Sequence, residues 1–278
     1  MPFTISHAAA VLPFSRLLAR RRLLSAVVIG TMVPDFGLFF PWRVYRFESH
    51  SALGLLSFCV PVGLFAYWIF QYLIKTPLME VLPDGAAARW RPFSSPAGIG
   101  GVLQWALAAL GVLAGAVTHL VWDAFTHEGA RGVRMVPWLE DPAVEIGNHH
   151  LAGARLLQDG SSLVGLAIVL GFVWYGLRRG RAGSAVNASQ PPLTRALSTA
   201  ERRTWVLAYG LAGIVLSAAW LLWAYAGEPA ARAGPSATRI AVAVLRGLAL
   251  GLLVVSLSLG WRLRTLRRAS VRAPTAPQ

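Results

Sequence analysis

The chain has 278 residues, 55% of them hydrophobic and only 14% charged, with a formal net charge of +14. A soluble domain carries about 25% charged residues, so the composition excludes an ordinary soluble fold and points to a protein whose solvent is mostly lipid. The basic residues fall in short runs between apolar stretches and form no single stripe, which argues against a nucleic-acid surface and fits a positive-inside membrane protein.

In chain order, the first apolar stretch, residues 3–19, carries His7 near its start and Pro13 within it. Its first positive charge, Arg16, follows the apolar run, whereas a cleavable leader places its charges first; the segment is expected to be retained. Arg20, Arg21 and Arg22 separate it from residues 23–40, which contain Val33-Pro34-Asp35-Phe36. Glu48-Ser49-His50-Ser51 precedes a third stretch, residues 53–74, with Ser49 or Ser51 as helix cap. The fourth, residues 98–122, runs into Thr118-His-Leu-Val-Trp-Asp-Ala-Phe-Thr-His127. A polar loop, residues 128–160, holds His149 and His150, and a shorter apolar stretch follows at residues 163–177. Residues 178–204 read as a basic, flexible linker. A two-helix hairpin (205–262) and a disordered basic tail (263–278) complete the chain.

About 20 apolar residues cross the hydrocarbon core. The expected architecture is therefore an all-α polytopic membrane protein of about seven transmembrane helices, with residues 1–177 forming a polar-dotted helical domain. Placing the Arg-rich groups at residues 16–22, 178–203 and 262–272 in the cytoplasm makes the crossings alternate consistently. His7, Asp35, His50, His119, Asp123 and His127 then fall at the outer ends of their helices. Trp42, Trp90 and Trp138 sit beside helix ends, as an aromatic belt requires. The single cysteine, Cys59, permits no intrachain disulfide, and no Gly-x-Ser-x-Gly motif signals a serine nucleophile.

Ionisable groups at membrane depth cost several kcal/mol unless paired or metal-bound. His119, Asp123 and His127 are spaced i, i+4, i+8, which drifts only about 40° per step and keeps them on one helix face. Imidazole nitrogen and carboxylate oxygen are ordinary ligands for zinc, manganese or iron. Taken singly, each residue has an ordinary reading: Asp35 as a turn residue beside Pro34, His50 as an interfacial histidine, His119 and Asp123 as a helix-end pair. Taken together at one membrane face, they suggest a shared site.

MPFTISHAAAVLP, GTMVPDFGLF, ESHSALGLL and THLVWDAFTHEG resemble, in order and spacing across residues 1–177, a bacterial membrane-protein family known as domain of unknown function 4184. That family is similar in pattern to membrane-bound metal-dependent hydrolases. The resemblance implies a helical membrane domain with His7, Asp35, His50, His119 and Asp123 as metal ligands. This chain has Glu-Ser-His-Ser where those hydrolases have His-Arg-Gly-x-Thr-His. The expected function is a multi-pass hydrolase of the cell membrane with its site on the extracytoplasmic side. Zinc is the first choice of divalent metal, with manganese or iron next. His127 or Glu128 would shuttle the proton, and the substrate would be lipid-like or a phosphoester. The alternatives are a transporter or ion conduit using the same cluster, and an assembly protein without chemistry.

Overall fold

Prolines and glycines divide the N-terminal apolar residues into short pieces. A computed structural model gives the fold and describes residues 4–40, 45–94, 101–140, 142–146, 149–182, 195–226 and 237–272. Pro13 and Pro34 each open a 3₁₀ turn, because proline fixes φ and lacks the N–H that an α-helix needs. Residues 4–40 therefore fold as the 3₁₀ segments Thr4–Ala10, Leu12–Phe14 and Val33–Phe39 around two short helices, α1 (Ser15–Arg20) and α2 (Leu24–Gly30). Neither apolar N-terminal stretch forms one continuous spanning helix, in contrast to the sequence expectation.

Among the described residues, five helices are long and apolar enough to cross a membrane, and the protein is a multi-pass membrane protein. After a short α3 (Arg46–Ser49) come α4 (Ala52–Val81), the short α5 (Asp84–Ser94), and α6 (Val102–Thr126). Two small helices, α7 (Arg131–Met135) and α8 (Pro137–Glu140), lead into a hairpin of β1 (Pro142–Ile146) and β2 (His149–Ala152), antiparallel with Ile146 opposite His149. Then follow α9 (Gly153–Ala182), α10 (Thr199–Tyr225) and α11 (Ala237–Arg272). Among the described residues, the fold is helical apart from that hairpin. Between 11% and 33% of each apolar window is buried inside the protein, which suits helices embedded in lipid.

In α4, π-helical turns at Leu55–Cys59 and Phe70–Ile74 each end shortly before a proline, Pro61 and Pro77. A proline ring collides with the carbonyl four residues back, and a widened turn relieves that crowding. The helix α9 begins well before the expected residue 163, taking up Gln158, Asp159, Ser161 and Ser162. The helix α11 runs through Arg272, so residues 263–272 are helical where a tail was expected. The rest of the tail (273–278), linker residues 183–194 and Trp42 lie outside the described residues.

The chain divides into two units, Met1–Tyr67 with Ala97–Trp174, and Trp68–Pro96 with Tyr175–Gln278. In the first, α2 lies against the middle of α6: a Cβ on Gly30 would overlap the Val112 carbonyl, and one on Gly115 the Val27 carbonyl. Small residues are what let helices in lipid approach this closely. The broken N-terminal segments are thus held at the depth of a spanning helix, where irregular backbone survives only if buried in protein. In the second unit, α10 and α11 pack as a hairpin through Gly247 against Ser217 and Gly251 against Gly213. Val81, Leu197, Leu259 and Leu263 form its core cluster.

Candidate metal centre

Five side chains from four segments of the first unit meet near the Thr126 end of α6. His119 and Asp123, one turn apart, project from one face, about 10 Å and about 5 Å from that end at 1.5 Å rise per residue. His119 is fully buried, and its Nδ1 lies 2.8 Å from the Thr31 carbonyl oxygen. That carbonyl belongs to the residue ending α2, where carbonyls lack helical partners, so it accepts from Nδ1–H. Nε2 is left with its lone pair facing inward.

His50 sits where α3 meets α4. The Ser51 hydroxyl accepts from the Gly54 amide at 2.9 Å and caps α4, while Ser49 Oγ lies 2.8 Å from His50 Nδ1. Its Nε2 again points inward. Asp35, in the first turn of the Pro34 segment, is buried; its Oδ2 accepts from the Thr4 hydroxyl at 2.9 Å. Every one of these donor groups is thus oriented from behind, as metal ligands usually are.

The inward atoms surround a gap. His50 Nε2 lies 3.5 Å from both Asp35 Oδ1 and Asp123 Oδ2. His119 Nε2 lies 3.7 Å from Asp35 Oδ1 and 3.5 Å from Asp123 Oδ2. These separations exceed a good N–H···O bond. Both Nε2 atoms are buried without a hydrogen-bond partner. Nitrogen and oxygen ligands about 2.1 Å from a tetrahedral zinc would stand about 3.4 Å apart, close to these four separations.

His7 completes the cluster from the 3₁₀ segment Thr4–Ala10. Its ring stacks on His119 with centroids 3.9 Å apart and planes at 21°, and its Nε2 is 3.9 Å from Asp123 Oδ1. His7, His119 and Asp123 form one group able to hold a cation, and Asp35, His50 and His119 another.

His127 departs from the single-face expectation. The helix ends at Thr126, and His127 follows with extended backbone. Its Nδ1 comes back to 3.3 Å from the Asp123 carbonyl oxygen and 3.5 Å from Asp123 Oδ1, while its Nε2 faces the Gln158 amide nitrogen at 3.3 Å. Half-buried, it stands between the cluster and solvent. Glu128 is exposed on the next turn and takes no part in the cluster's contacts among the described residues. His149 and His150 lie in β2, paired with Ile146 and Glu145.

Sequence reasoning did not find Thr4, Thr31 or Gln158. Thr31 acts through its main chain, which no side-chain pattern reveals. Gln158 falls in the polar loop before residue 163, and only the start of α9 at Gly153 places it beside His127.

A hydroxyl-rich pocket of about 20 Å³ adjoins Asp123 and His127, lined by Thr4, Thr126, Gln158 and Ser162 among others. A larger cavity of about 290 Å³ shares Ser6, His7, Trp122 and Ser161 with it and extends along Val164 and Ile168. No curated protein and no solved structure matches the chain. The family described as Domain of unknown function (DUF4184) matches residues 1–257, so the likeness continues past residue 177 into α11. By that match, the chain belongs to the DUF4184 family.

Proposed function

We propose that this protein is a metal-dependent hydrolase of the cell membrane, with a divalent cation, zinc first, held by His50, His119, Asp35 and Asp123. His7 is an additional ligand. One observation carries the reading: two buried imidazole nitrogens without hydrogen-bond partners face two carboxylates at separations too long for a hydrogen bond and suited to a shared cation. A divalent cation supplies Lewis acidity there and draws the pKa of water toward about 7. The two carboxylates balance its charge. His127, reaching from Asp123 toward solvent, carries a proton outward, and Gln158 holds its ring in place. The site lies close to a helix end in a chain surrounded by lipid, which favours a lipid-like or phosphoester substrate.

The side of the membrane follows from charge. With five crossings, the α5 region, the linker around Arg195 to Arg203 and the basic end of α11 share one side, opposite the Thr126 end of α6. The Arg-rich side is cytoplasmic, so the cluster is extracytoplasmic. Counting residues 4–20 and 24–39 as a broken out-and-back pair gives seven crossings, and adding two leaves the site on the same side.

Elemental analysis of the purified protein tests the reading. We expect near one divalent ion per chain, falling by about tenfold or more in His119→Ala. A protein without metal, or an His119→Ala variant that keeps it, overturns the reading. A conduit using the same residues would instead pass ions in liposome flux assays, with flux abolished by the same substitution.

A further inference from the structure

The 290 Å³ cavity has a particular shape of chemistry. One wall is apolar, with Ala9 and Ala10 from the N-terminal 3₁₀ segment and Val164 and Ile168 from α9. Its other end is polar, at Ser6, His7 and Ser161. Gly165 lets the two walls approach, since a Cβ there would lie 2.8 Å from the Ser6 carbonyl oxygen. Val164 and Ile168 are 60% and 47% exposed on a helix that crosses the bilayer, so the apolar end opens to hydrocarbon, not water. The Trp122 indole N–H donates to Ser161 Oγ at 3.3 Å, marking where the apolar cavity meets the small hydroxyl-rich pocket at Asp123 and His127.

Charge narrows the occupant. Neither space has a lysine or arginine among its lining residues. One divalent cation would only balance Asp35 and Asp123. A headgroup with its own negative charge would be buried beside two carboxylates without a counter-charge, which is costly in a low dielectric. Hydroxyls and an amide, from Thr4, Thr126, Ser161, Ser162 and Gln158, offer hydrogen bonds to a neutral polar group instead. At the lower bound of ligand-sized cavities, about 300 Å³, the space suits one chain.

We propose that the cavity between the N-terminal 3₁₀ segment, α6 and α9 holds the alkyl chain of a single-chain amphiphile with an uncharged, hydroxylated head, of the monoacylglycerol type. This rests on the hydrolase reading for its chemistry and on the cavity for its occupant. The reaction is ester hydrolysis: the water oxygen bonds to the acyl carbon, the bond from that carbon to the head oxygen breaks, and the proton goes to the departing hydroxyl. Water is the only co-reactant. A chain arriving from the bilayer is already in hydrocarbon, so the cavity adds alignment more than affinity, setting the ester beside Asp123 and His127.

Photolabelling of the full chain in phosphatidylcholine nanodiscs tests the proposal. The probe is an ether-linked, non-hydrolysable monoacylglycerol analogue with a diazirine on its chain, compared with the same chain on a phosphate monoester. Label at Ala9, Ala10 and residues 164–168 is read by mass spectrometry against Leu207 and Leu211 of α10, which are 72% and 64% exposed and report ordinary lipid contact. The expected ratio favours the cavity by about tenfold for the glyceryl probe. It should fall to the lipid background in Val164→Trp and in Ala10→Trp, both substitutions at exposed positions, while metal content stays at the parent value. Equal ratios in parent and filled variants overturn the proposal, as does preferential labelling by the phosphate probe. Cavity labelling that persists in a protein without metal upholds the occupant and removes only the hydrolase reading.

Discussion

The two units handle their buried ionisable groups differently. In the unit of α10 and α11, named polar groups close on one another: Tyr209 Oη with Ser256 Oγ at 3.0 Å, Ser217 Oγ on the Val244 carbonyl at 3.0 Å, Lys75 Nζ on Gln71 Oε1 at 2.9 Å. Arg195 reaches the Met79, Glu80 and Leu82 carbonyls and ends α4 as a cap would. In the unit of α2 and α6, the Nε2 atoms of His50 and His119 approach Asp35 and Asp123 only to 3.5–3.7 Å, beyond a good hydrogen bond. A buried group that finds a partner stabilises the fold or is neutral to it. A buried group held back from its neighbour by half an ångström or more marks a place kept for something else.

The sharpest way to break this contrast removes one charge from each unit. Asp35→Ala takes away one carboxylate ligand and leaves the Thr4 hydroxyl without its acceptor and His50 and His119 with Asp123 alone; we expect metal content to fall about tenfold or more. Lys75→Met takes away a buried ammonium, replaces it with a side chain of similar length and leaves the Gln71 amide oxygen without that donor; we expect a loss of about 1–3 kcal/mol of thermal stability and no change in metal. Equal metal loss in both would mean that the cluster responds to general unfolding and has no specific role.

Packing ranks next. Gly115→Val would drive a side chain into the Val27 and Gly30 backbone, which cannot give way as a side-chain tip can. Overpacking of this kind costs about 1–3 kcal/mol. Because α2 carries the Thr31 carbonyl that orients His119, the variant should lose metal along with stability. Gly247→Val, against Ser217 of the other unit, should lower stability alone. Thermal melts in detergent paired with elemental analysis separate the two.

Much of this was legible in the chain. Apolar length gave α4, α6, α10 and α11, because lipid leaves little choice of backbone. The i, i+4 spacing placed His119 and Asp123 on one face, and they point into the cluster. The same spacing overreached at His127, since periodicity does not say where a helix stops, and this one stops at Thr126. Residues 3–40 misled in the other direction: apolar composition suggests crossings, but Pro13 and Pro34 turn the backbone into 3₁₀ pieces that survive by burial against α6. Lys75, directly after the apolar stretch 53–74, carries no sequence signal of burial. Here it is buried and bonded to Gln71, one helical turn before it.

Smaller in effect is Thr4→Val, which keeps the shape and removes the donor to Asp35 Oδ2. An orienting group behind a metal ligand is worth about 10–100-fold in metal affinity. The direct comparison is Ser217→Ala in the other unit, where the hydroxyl only bonds a main-chain carbonyl and its loss costs about 1 kcal/mol of stability. Competition with a chelator of known affinity reads the first, and thermal denaturation the second. A Thr4→Val protein that binds metal as tightly as the parent would show that Asp35 needs no support, and the idea of a preorganised cradle would fail.

The smallest effect belongs to the surface pair of the second unit, Asp84 with Arg202, whose Nη1 lies 2.6 Å from Asp84 Oδ1. The hydrogen bond from Arg202 holds the Asp84 carboxyl below its ordinary value of 3.8, and exposure limits what that is worth. Because the folded value is depressed, the stabilisation is present above pH 3.8 and disappears as pH falls through the lowered value. At 70% side-chain exposure, Asp84→Asn should cost between about 0 and 1 kcal/mol, less in high salt. It should leave metal content untouched, since none of the bonds that orient the cluster passes through Arg202. A measurable loss of metal in Asp84→Asn would tie the two units together energetically, and the contrast between a unit that is only held together and one that holds something would then have to be redrawn.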